Sequence, residues 1–511
     1  MLAKVYSCTT FGLTPYLVEV EVDVAGGLPD FTIVGLPDVT VKESKERVRT
    51  AIKNSGYDFP ARKIIVNLAP ADMKKEGPGF DLPIAIGILA ATGQLNSVFI
   101  NEYVLVGELS LDGRIRPVPG VLPMALFVQR QNVNKFIIPM ENSTEASLVS
   151  TQSYSFHSLG EVKDFLERPD NLQAVKQTCL EDYIARNKAN SVDFSQVKGQ
   201  RNAKRALEVA AAGGHNILLI GTPGSGKSLL AKCLPAILPP LTPEEALEVS
   251  KIYSVAGLLN KDMPLITQRP FRSPHHSSSA ASLIGGGNIP RPGEVTLATH
   301  GVLFLDELPE YRRDVLEALR QPLEDRIVTV SRIRASITYP AKFQLVAAAN
   351  PCYCGFFGDR LRECICTPYQ VNKYRSKISG PLLDRLDLHV EVPRLTYQEM
   401  EGEKSGESAE IVRQRVWAAR GRQLARFEGL GINCNAEMGL AELQKFCSLQ
   451  REARLLLKEA YMSLALSARA HDRIIKIART IADISGSEQI KAEHLAEAIQ
   501  YRGFEQKDTN I

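Results

Sequence analysis

The stretch ILLIGTPGSGKSLLAKCL, residues 217–234, joins an apolar run, a glycine-rich loop and a helix-forming segment. The four apolar residues predict a buried strand, and GTPGSGKS has the spacing GxxxxGK[ST]. Glycines let backbone N–H groups turn toward phosphates, and the following helix contributes the positive end of its dipole. The alternative of a chance glycine-rich loop is disfavoured by the strand before it and the helix after it. The pattern predicts an ATP phosphate loop made of Gly221, Thr222, Pro223, Gly224, Ser225, Gly226, Lys227 and Ser228.

The last two residues of this loop have expected roles. Lys227 is expected to reach the β and γ phosphates, and Ser228 to offer its hydroxyl to Mg²⁺. Downstream, GVLFLDELPE (residues 301–310) predicts a second buried strand that ends in two acids. Asp306 would complete the Mg²⁺ shell and Glu307 would polarise the attacking water. Taken alone, the two carboxylates could equally cap a helix; pairing with the upstream loop favours catalysis.

A third apolar run, FQLVAAAN, ends in Asn350. A polar side chain at that strand end would lie beside the γ-phosphate and position water, whereas an isolated Asn could simply form a turn. The strand–loop–helix units from 193 to 392 predict a mainly parallel sheet with helices on both faces. This region is an α/β P-loop core.

Composition divides the rest of the chain. Residues 1–165 alternate strand-like and helical runs and predict a separate α/β or α+β domain, followed by a polar linker over 166–192. A charged linker covers 393–410, and the Ala-, Leu-, Arg- and Glu-rich segment 411–511 predicts a small helical domain. Nine cysteines, a net charge of +3 and no apolar run near the length of about 18 residues that a membrane helix needs suggest a cytoplasmic protein without a membrane partner.

Two arginine-bearing motifs resemble those of AAA+ ATPases in the Mg-chelatase, MoxR and MCM group. SGPLLDRLDLHVEV places Arg385 where that group carries an arginine finger, which reaches the neighbouring subunit's site and implies a ring or filament. LSARAHDRIIKIARTIADISG resembles the lid helix with the sensor-2 arginine; Arg469 is the first candidate and Arg473 the second. A surface salt bridge for Arg385 and a solvated basic face for the other two are the plainer alternatives.

The stretch KEGPGFDLPIAIGI (residues 75–88) resembles the nucleophile turn of Lon-type peptidases, and VGELSLDGRIRPVPGVLPMA resembles a second Lon segment. The resemblance implies a Lon-protease-like, ribosomal S5-type fold for the first domain. Gly79 stands at the position of the catalytic serine, and Leu122 stands near that of the lysine. Neither side chain can attack a carbonyl or take a proton. Peptidase activity is therefore not expected, and a role in ring assembly or DNA contact is the better analogy.

Three further segments resemble the Mg-chelatase-like family: DFSQVKGQRNAKRALEVAAAGGHNILLIGTPGSGKS, RPFRSPHHSSSAASLIGGG and PRPGEVTLATHGVLFLDEL. Together with the first domain, they resemble the ComM (YifB-type) family over nearly the whole chain. That resemblance implies a cytoplasmic homo-hexamer that uses ATP and Mg²⁺ to drive DNA branch migration during natural transformation. Single-stranded, forked or branched DNA and recombination proteins, such as a recombinase, would be its partners. The alternative is a Mg-chelatase-type motor that remodels a protein partner.

Two segments are candidates for insertions into a central pore. Residues 250–267 correspond to the helix-2 insertion of this group, and 327–343 predict a hairpin. The hairpin carries Arg332, Arg334 and Lys342, which would grip DNA phosphates or, alternatively, protect an exposed strand edge. His275 and His276 lack further ligands at metal-binding spacing, and a polar loop near the pore or the nucleotide is favoured.

The segment NPCYCGFFGDRLRECICTPYQ contains four cysteines in the pattern C-x-C-x₉-C-x-C. Four thiolates on two short arms can surround a tetrahedral Zn²⁺, although C-x-C makes a tighter chelate than the usual C-x₂-C arm. Reduced free thiols and a redox pair are the alternatives. The favoured prediction is a structural zinc insert over residues 352–366, with the ligands Cys352, Cys354, Cys364 and Cys366.

Overall fold

The structure is a computed structural model that describes residues 2–96, 98–169, 173–181, 183, 193–260, 263–287, 290–332, 335–359, 361–395, 406–464 and 466–502. These residues form two compact units. The first takes its described residues from 2–183 and 242–267, and the second from 193–241 and 268–502.

The elements before residue 170 belong to the first unit. In chain order they are β1 (Leu2–Phe11), β2 (Thr14–Ala25), β3 (Asp30–Val34), α1 (Val39–Asn54), β4 (Lys63–Ala69), α2 (Asp81–Ala91), β5 (Tyr103–Leu105), β6 (Glu108–Leu109), β7 (Ile115–Arg116), α3 (Val121–Val128), β8 (Lys135–Pro139), α4 (Ser143–Ala146), β9 (Gln152–Phe156) and α5 (Leu159–Glu167).

The elements after residue 193 continue the numbering, and all except α8 belong to the second unit. They are α6 (Arg201–Gly213), β10 (Ile217–Ile220), α7 (Lys227–Ile237), α8 (Pro243–Val255), β11 (Phe271–Arg272), α9 (Ala280–Ile284), β12 (Gly285–Gly286), β13 (Arg291–Pro292), α10 (Glu294–Leu297), β14 (Val302–Leu305), α11 (Arg313–Ala318), α12 (Arg320–Asp325), β15 (Ile327–Arg332), β16 (Ala335–Pro340), β17 (Gln344–Ala349), α13 (Pro368–Arg375), α14 (Gly380–Leu383), β18 (Leu388–Glu391), α15 (Ala409–Arg426), α16 (Leu440–Phe446), α17 (Arg451–Ser463), α18 (Ala468–Ile484) and α19 (Ala492–Gln500).

A seven-stranded mixed sheet in the order β3-β4-β2-β1-β5-β8-β9 forms the first unit. β2 pairs antiparallel with both β1 and β4, while β8 pairs parallel with both β5 and β9. The helix α2 is buried along almost its whole length because its sequence DLPIAIGILAA is apolar on every face. A Cβ on Gly87 would lie 2.5 Å from Val22, so glycine permits this close packing of α2 on β2. Asp81 begins the helix and is neutralised by Arg47 at 2.7 Å.

The helix α8 lies in the first unit, although its neighbours in sequence belong to the second. Thr242 and Glu245 form a capping box at its start. At its other end Ser254 donates a hydrogen bond to the buried Glu145, and the Ser254 carbonyl accepts one from Gly120 N at 3.1 Å. The sequence predicts that residues 250–267 are the helix-2 insertion of the ATPase core and point into a pore. The described part of this segment belongs instead to the first unit, where its hydroxyl and carbonyl satisfy buried polar groups. That it reaches a pore stays a prediction.

A five-stranded sheet, β11-β14-β17-β10-β18, forms the centre of the second unit, and all its pairings are parallel. The strands β10, β14 and β17 are buried over their full length, as expected for a parallel sheet covered by helices. The helices α15 to α19 share one hydrophobic core with α6 and α7. The predicted fold class, an α/β P-loop core with a Lon-like first domain and a helical C-terminal region, is confirmed.

Candidate nucleotide site and its surroundings

The glycine-rich loop connects the end of β10 to the first residue of α7. Gly224 and Gly226 have φ values of 77° and 90°, which glycine adopts without the steric cost that a Cβ adds. A Cβ on Gly221 would lie 2.2 Å from the carbonyl oxygen of Val392, so the chain passes too close for any other residue. The loop therefore wraps the N-terminus of α7, as a phosphate-binding loop requires.

Lys227 is the first residue of α7 and is buried. Its ammonium donates to the carbonyl oxygens of Gly221 at 2.7 Å and Thr222 at 3.0 Å, and to Asn350 Oδ1 at 3.2 Å. Burial lowers the pKa of Lys227, which the charges of Asp306 and Glu307 partly counter. The side chain is thus folded over its own loop, where phosphate oxygens would compete with these acceptors.

Ser228 and Asp306 meet between α7 and the end of β14. The serine hydroxyl donates to Asp306 Oδ2 at 2.6 Å. A hydroxyl and a carboxylate beside a phosphate loop are hard oxygen ligands of the kind that Mg²⁺ binds together with nucleotide phosphates. These two residues would hold that ion.

Glu307 follows directly in a left-handed conformation, with φ of 51°. Its side chain is half exposed and lies 3.3 Å from Nδ1 of His276. The rings of His276 and His275 lie with their centroids 4.1 Å apart and their planes tilted by 35°. The sequence assigns the histidines to a polar loop near the pore or the nucleotide, but it does not predict the pairing of His276 with Glu307. The motif RSPHHSSS carries no spacing signal that links it to a distant acid.

Asn350 follows β17, which lies between β10 and β14 in the sheet. The order of the strands therefore brings its amide to the same edge as the loop and the acids. The structure thus brings together Lys227, Ser228, Asp306 and Asn350, with Glu307 adjoining Asp306.

Arg385 follows α14 and pairs with Glu324 of α12, while its Nη1 donates to the Pro381 carbonyl at 2.7 Å. Arg469 at the start of α18 is exposed. The hydrogen bond from Arg385, together with the charges of Arg385 and Arg469, lowers the pKa of Glu324. Glu324 is therefore the ion-pair partner of the proposed finger, and the charge of the first sensor-2 candidate also acts on this carboxylate.

Arg473, the second sensor-2 candidate, is engaged elsewhere. It lies 3.4 Å from Asp387, which also contacts Nδ1 of His215 at 3.3 Å. Burial alone would raise the pKa of Asp387, but the His215 hydrogen bond and the charges of His215, Arg473 and Arg502 lower it to about 2. Arg473 therefore has a structural partner beneath the lid helix.

The four cysteines of the insert lie together. Sγ of Cys352 is 3.4 Å from that of Cys354 and 3.6 Å from that of Cys364, and the last two are 3.5 Å apart. The backbone N–H of Cys354 donates to Sγ of Cys366 at 3.4 Å. All four sulfur atoms lie within 4.8 Å of one another. Two cysteine pairs that are nine residues apart in sequence are thus assembled into one sulfur cluster that can hold a metal ion.

The predicted hairpin is present as β15 and β16, which pair from Ile327↔Pro340 to Arg332↔Ala335. Arg332 ends the first strand, with a side chain outside the described part of the structure, and Arg334 lies outside the described residues altogether. Lys342 follows the hairpin and is exposed. The expectation that these residues grip DNA phosphates stays a prediction.

At the positions that correspond to the Lon dyad, the backbone groups make the hydrogen bonds. The carbonyl of Gly79 accepts from Gly107 N at 2.9 Å, and Leu122 N donates to Glu145 Oε1 at 2.7 Å. Leu122 is fully buried. Neither position carries a nucleophile or a base. Of the helices in the described ranges, none is both long enough and apolar enough to cross a membrane.

Comparison with known proteins agrees with this geometry. The family of magnesium chelatase subunit ChlI matches residues 193–400, a second ChlI family matches 20–142, and the ChlI C-terminal family matches 406–502. The competence protein ComM of Haemophilus influenzae is 45% identical over 509 residues, which cover 98% of both chains. The uncharacterized protein YifB of Escherichia coli is 46% identical over 99% of this chain and 97% of its own.

The Lon protease of Chloroflexus aurantiacus is 28% identical over 134 residues, which cover 25% of this chain and 16% of that protease. This local similarity supports the Lon-like fold of the first unit. The relatives that match along nearly the whole chain, together with the parallel sheet and its phosphate loop, establish the family. The chain belongs to the ComM (YifB-type) proteins, a group of magnesium-chelatase-like AAA+ ATPases.

Proposed function

We propose that this chain is an ATP-driven DNA translocase that works as a cytoplasmic homo-hexamer. In this proposal it promotes branch migration when incoming single strands recombine into the chromosome during natural transformation. The observation that carries the proposal is the identity of 45% to a competence protein along 98% of both chains. The assembled phosphate loop, acids and Asn350 supply the motor that such work needs.

The chemistry at the site follows from the side chains. Lys227 exchanges its carbonyl partners for phosphate oxygens, and the loop N–H groups bind the same phosphates. Mg²⁺, held by Ser228 and Asp306, would neutralise charge on the phosphates. Glu307 adjoins the metal ligands and is half exposed, so it can accept a proton from an attacking water. Asn350, which already contacts Lys227, orients that water.

Arg385 completes the site in this proposal by reaching the adjacent subunit. Its present partner, Glu324, is more than half exposed, so a phosphate can replace that carboxylate at a subunit boundary. If this finger acts in trans, hydrolysis would require a ring or filament, and a ring of six subunits is the proposed assembly. Arg469, near the same carboxylate, would act as the sensor-2 arginine at that boundary.

The hairpin β15–β16 is the proposed DNA-contacting element, through Arg332, Arg334 and Lys342. Phosphate contacts suit a translocase because they carry no sequence information. A recombinase that pairs the incoming strand is the proposed partner.

DNA dependence is the test of this function. We expect single-stranded and forked DNA to raise the ATPase rate several-fold, and the protein to move the branch point of a four-way junction in the presence of ATP. Glu307→Gln is the control, since it retains the phosphate loop and Mg²⁺ ligands but lacks the carboxylate that takes the proton. Unchanged ATPase on DNA together with no strand movement would contradict the proposal. It would favour the alternative, a Mg-chelatase-type motor that remodels a protein partner.

We also propose that the four clustered cysteines bind one structural Zn²⁺. A tetrahedral zinc with Zn–S distances of about 2.3 Å places sulfur atoms about 3.8 Å apart. The distances of 3.4, 3.5 and 3.6 Å among Cys352, Cys354 and Cys364 are close to that spacing. The donor set, four thiolates on two arms, is that of a closed structural site rather than a catalytic one.

Metal analysis checks the zinc proposal. We expect about one zinc per chain in protein purified without chelators, and a marked loss in Cys364→Ser. Cys179→Ser is the matched control, because Cys179 is exposed and belongs to the first unit. Wild-type protein with only traces of zinc would refute the site.

A further inference from the structure

The cysteine knuckle, residues Cys352–Cys366, shares its backbone with the nucleotide site. β17 ends at Ala349, Asn350 contacts Lys227, and Cys352 follows two residues later. Arg375 Nε donates to the carbonyl of the intervening Pro351 at 3.4 Å. Only one residue therefore separates the amide beside the phosphate loop from the first metal ligand.

A second contact joins the knuckle to the phosphate loop itself. Gly355 has φ of +82°, and a Cβ built on it would lie 2.7 Å from both Cδ and Cγ of Pro223. The same Cβ would lie 3.9 Å from Cγ of Asn350. The backbone between the first two cysteines and the third thus packs on two parts of the nucleotide site at once.

A third contact leads to the acids. Tyr353, between the first two cysteines, packs edge-on against Tyr374 with centroids 4.8 Å apart. Lys377 lies over both rings, at 5.0 and 5.3 Å, and pairs with Glu310 at 3.3 Å. Glu310 ends the short turn that follows Asp306 and Glu307. The knuckle is therefore connected to all three strand ends that build the site.

We propose that the zinc-loaded knuckle forms one wall of the nucleotide pocket, so that Zn²⁺ and nucleotide each strengthen the binding of the other. Tetrahedral thiolate coordination fixes Tyr353 and Gly355 relative to Asn350, and Gly355 in turn limits where Pro223 and the phosphate loop can lie. Coupling between two ligands is reciprocal, and typical factors are about 5- to 150-fold. The inference rests on the zinc site proposed above and adds its regulation of nucleotide binding.

Paired glycine substitutions test this wall without touching any cysteine. Gly355→Ala adds a methyl group that collides with Pro223, whereas Gly358→Ala, with a similar φ of +78°, meets nothing within 4 Å. The two variants carry the same backbone penalty, and only the first disturbs the phosphate loop. We expect both to retain zinc, and Gly355→Ala alone to bind fluorescent ADP about 5- to 150-fold more weakly.

Zinc release supplies a reading that is independent of activity. The rate of zinc transfer from the wild-type protein to an excess of a chromophoric chelator is expected to fall when Mg²⁺ and ADP are added. Gly358→Ala should keep this protection, Gly355→Ala at saturating ADP should lose it, and Lys227→Ala should show none. The wild-type measurement stands even if Gly355→Ala fails to fold.

Equal zinc release with and without ADP would overturn the coupling, as would equal ADP affinity in the two glycine variants. Either result, in protein that contains zinc, leaves the metal site and the proposed motor intact. Absence of zinc from the wild-type protein would overturn the coupling together with the metal site. DNA-stimulated ATPase remains a separate measurement, so failure of the motor function is recognised independently.

Discussion

Lys227→Ala is expected to lower ATP turnover by at least about 10²–10³-fold, the scale seen when one preorganised electrostatic donor is removed from an active site. The lysine ammonium is buried within 3.2 Å of three acceptors at the phosphate loop, and alanine leaves no cation there for the phosphates. The loop glycines and the start of α7 remain, so weakened nucleotide binding is expected rather than unfolding. Steady-state ATPase and ADP titration measure the two effects.

Lys232→Ala is the matched control for this substitution, because Lys232 is an exposed lysine on the same helix. It should turn over ATP at the wild-type rate. Wild-type turnover in Lys227→Ala itself would contradict the assignment of the site.

Arg385→Ala is the second substitution with a large expected effect. It should still bind ATP, because Arg385 makes its described contacts with Glu324 and Pro381 and not with the phosphate loop. Its rate of hydrolysis should fall by about 10³–10⁵-fold, the contribution of an arginine finger. Arg312→Ala, which removes an exposed arginine paired to Asp314 at 2.7 Å, is the control and should be nearly silent.

Mixing variants distinguishes action in trans from action within one subunit. An Arg385→Ala subunit keeps its own acids, and a Glu307→Gln subunit keeps its own arginine. At a boundary between the two, one complete site is formed if the finger acts in trans. We expect the mixture to recover part of the activity that neither variant has alone. A mixture as inactive as its components would count against the trans arrangement.

Most of the nucleotide site could be predicted from short stretches of the sequence. GTPGSGKS and the strand VLFL with its two acids have fixed chemical spacing, and a parallel sheet brings the carboxyl ends of its strands to one edge. Asn350 could be placed there for the same reason. The contact of His276 with Glu307 joins segments about thirty residues apart through a loop whose path no periodicity encodes.

The segment around residue 250 could not be assigned to the correct unit from the sequence. Its position in sequence, between two strands of the ATPase core, predicts membership of that core. The helix α8 is nevertheless part of the Lon-like unit, where Ser254 meets the buried Glu145. Burial raises the pKa of Glu145, and the hydrogen bonds from Ser254, Leu122 and Asn142 oppose that rise. Such compensation of one buried carboxylate by residues from distant segments leaves no local signature.

By itself the sequence determined the AAA+ family, the strands that carry the functional residues and the loss of the Lon nucleophile at Gly79, because each depends on residue type and spacing within a short segment. Only the tertiary structure decided that four sulfur atoms lie within 4.8 Å of one another and that Gly355 packs on Pro223. It also gave Arg473 a partner in Asp387, whereas the charge of Arg469 acts on Glu324, the partner of Arg385. These facts are distances between segments remote in sequence, and close packing of the folded chain sets them.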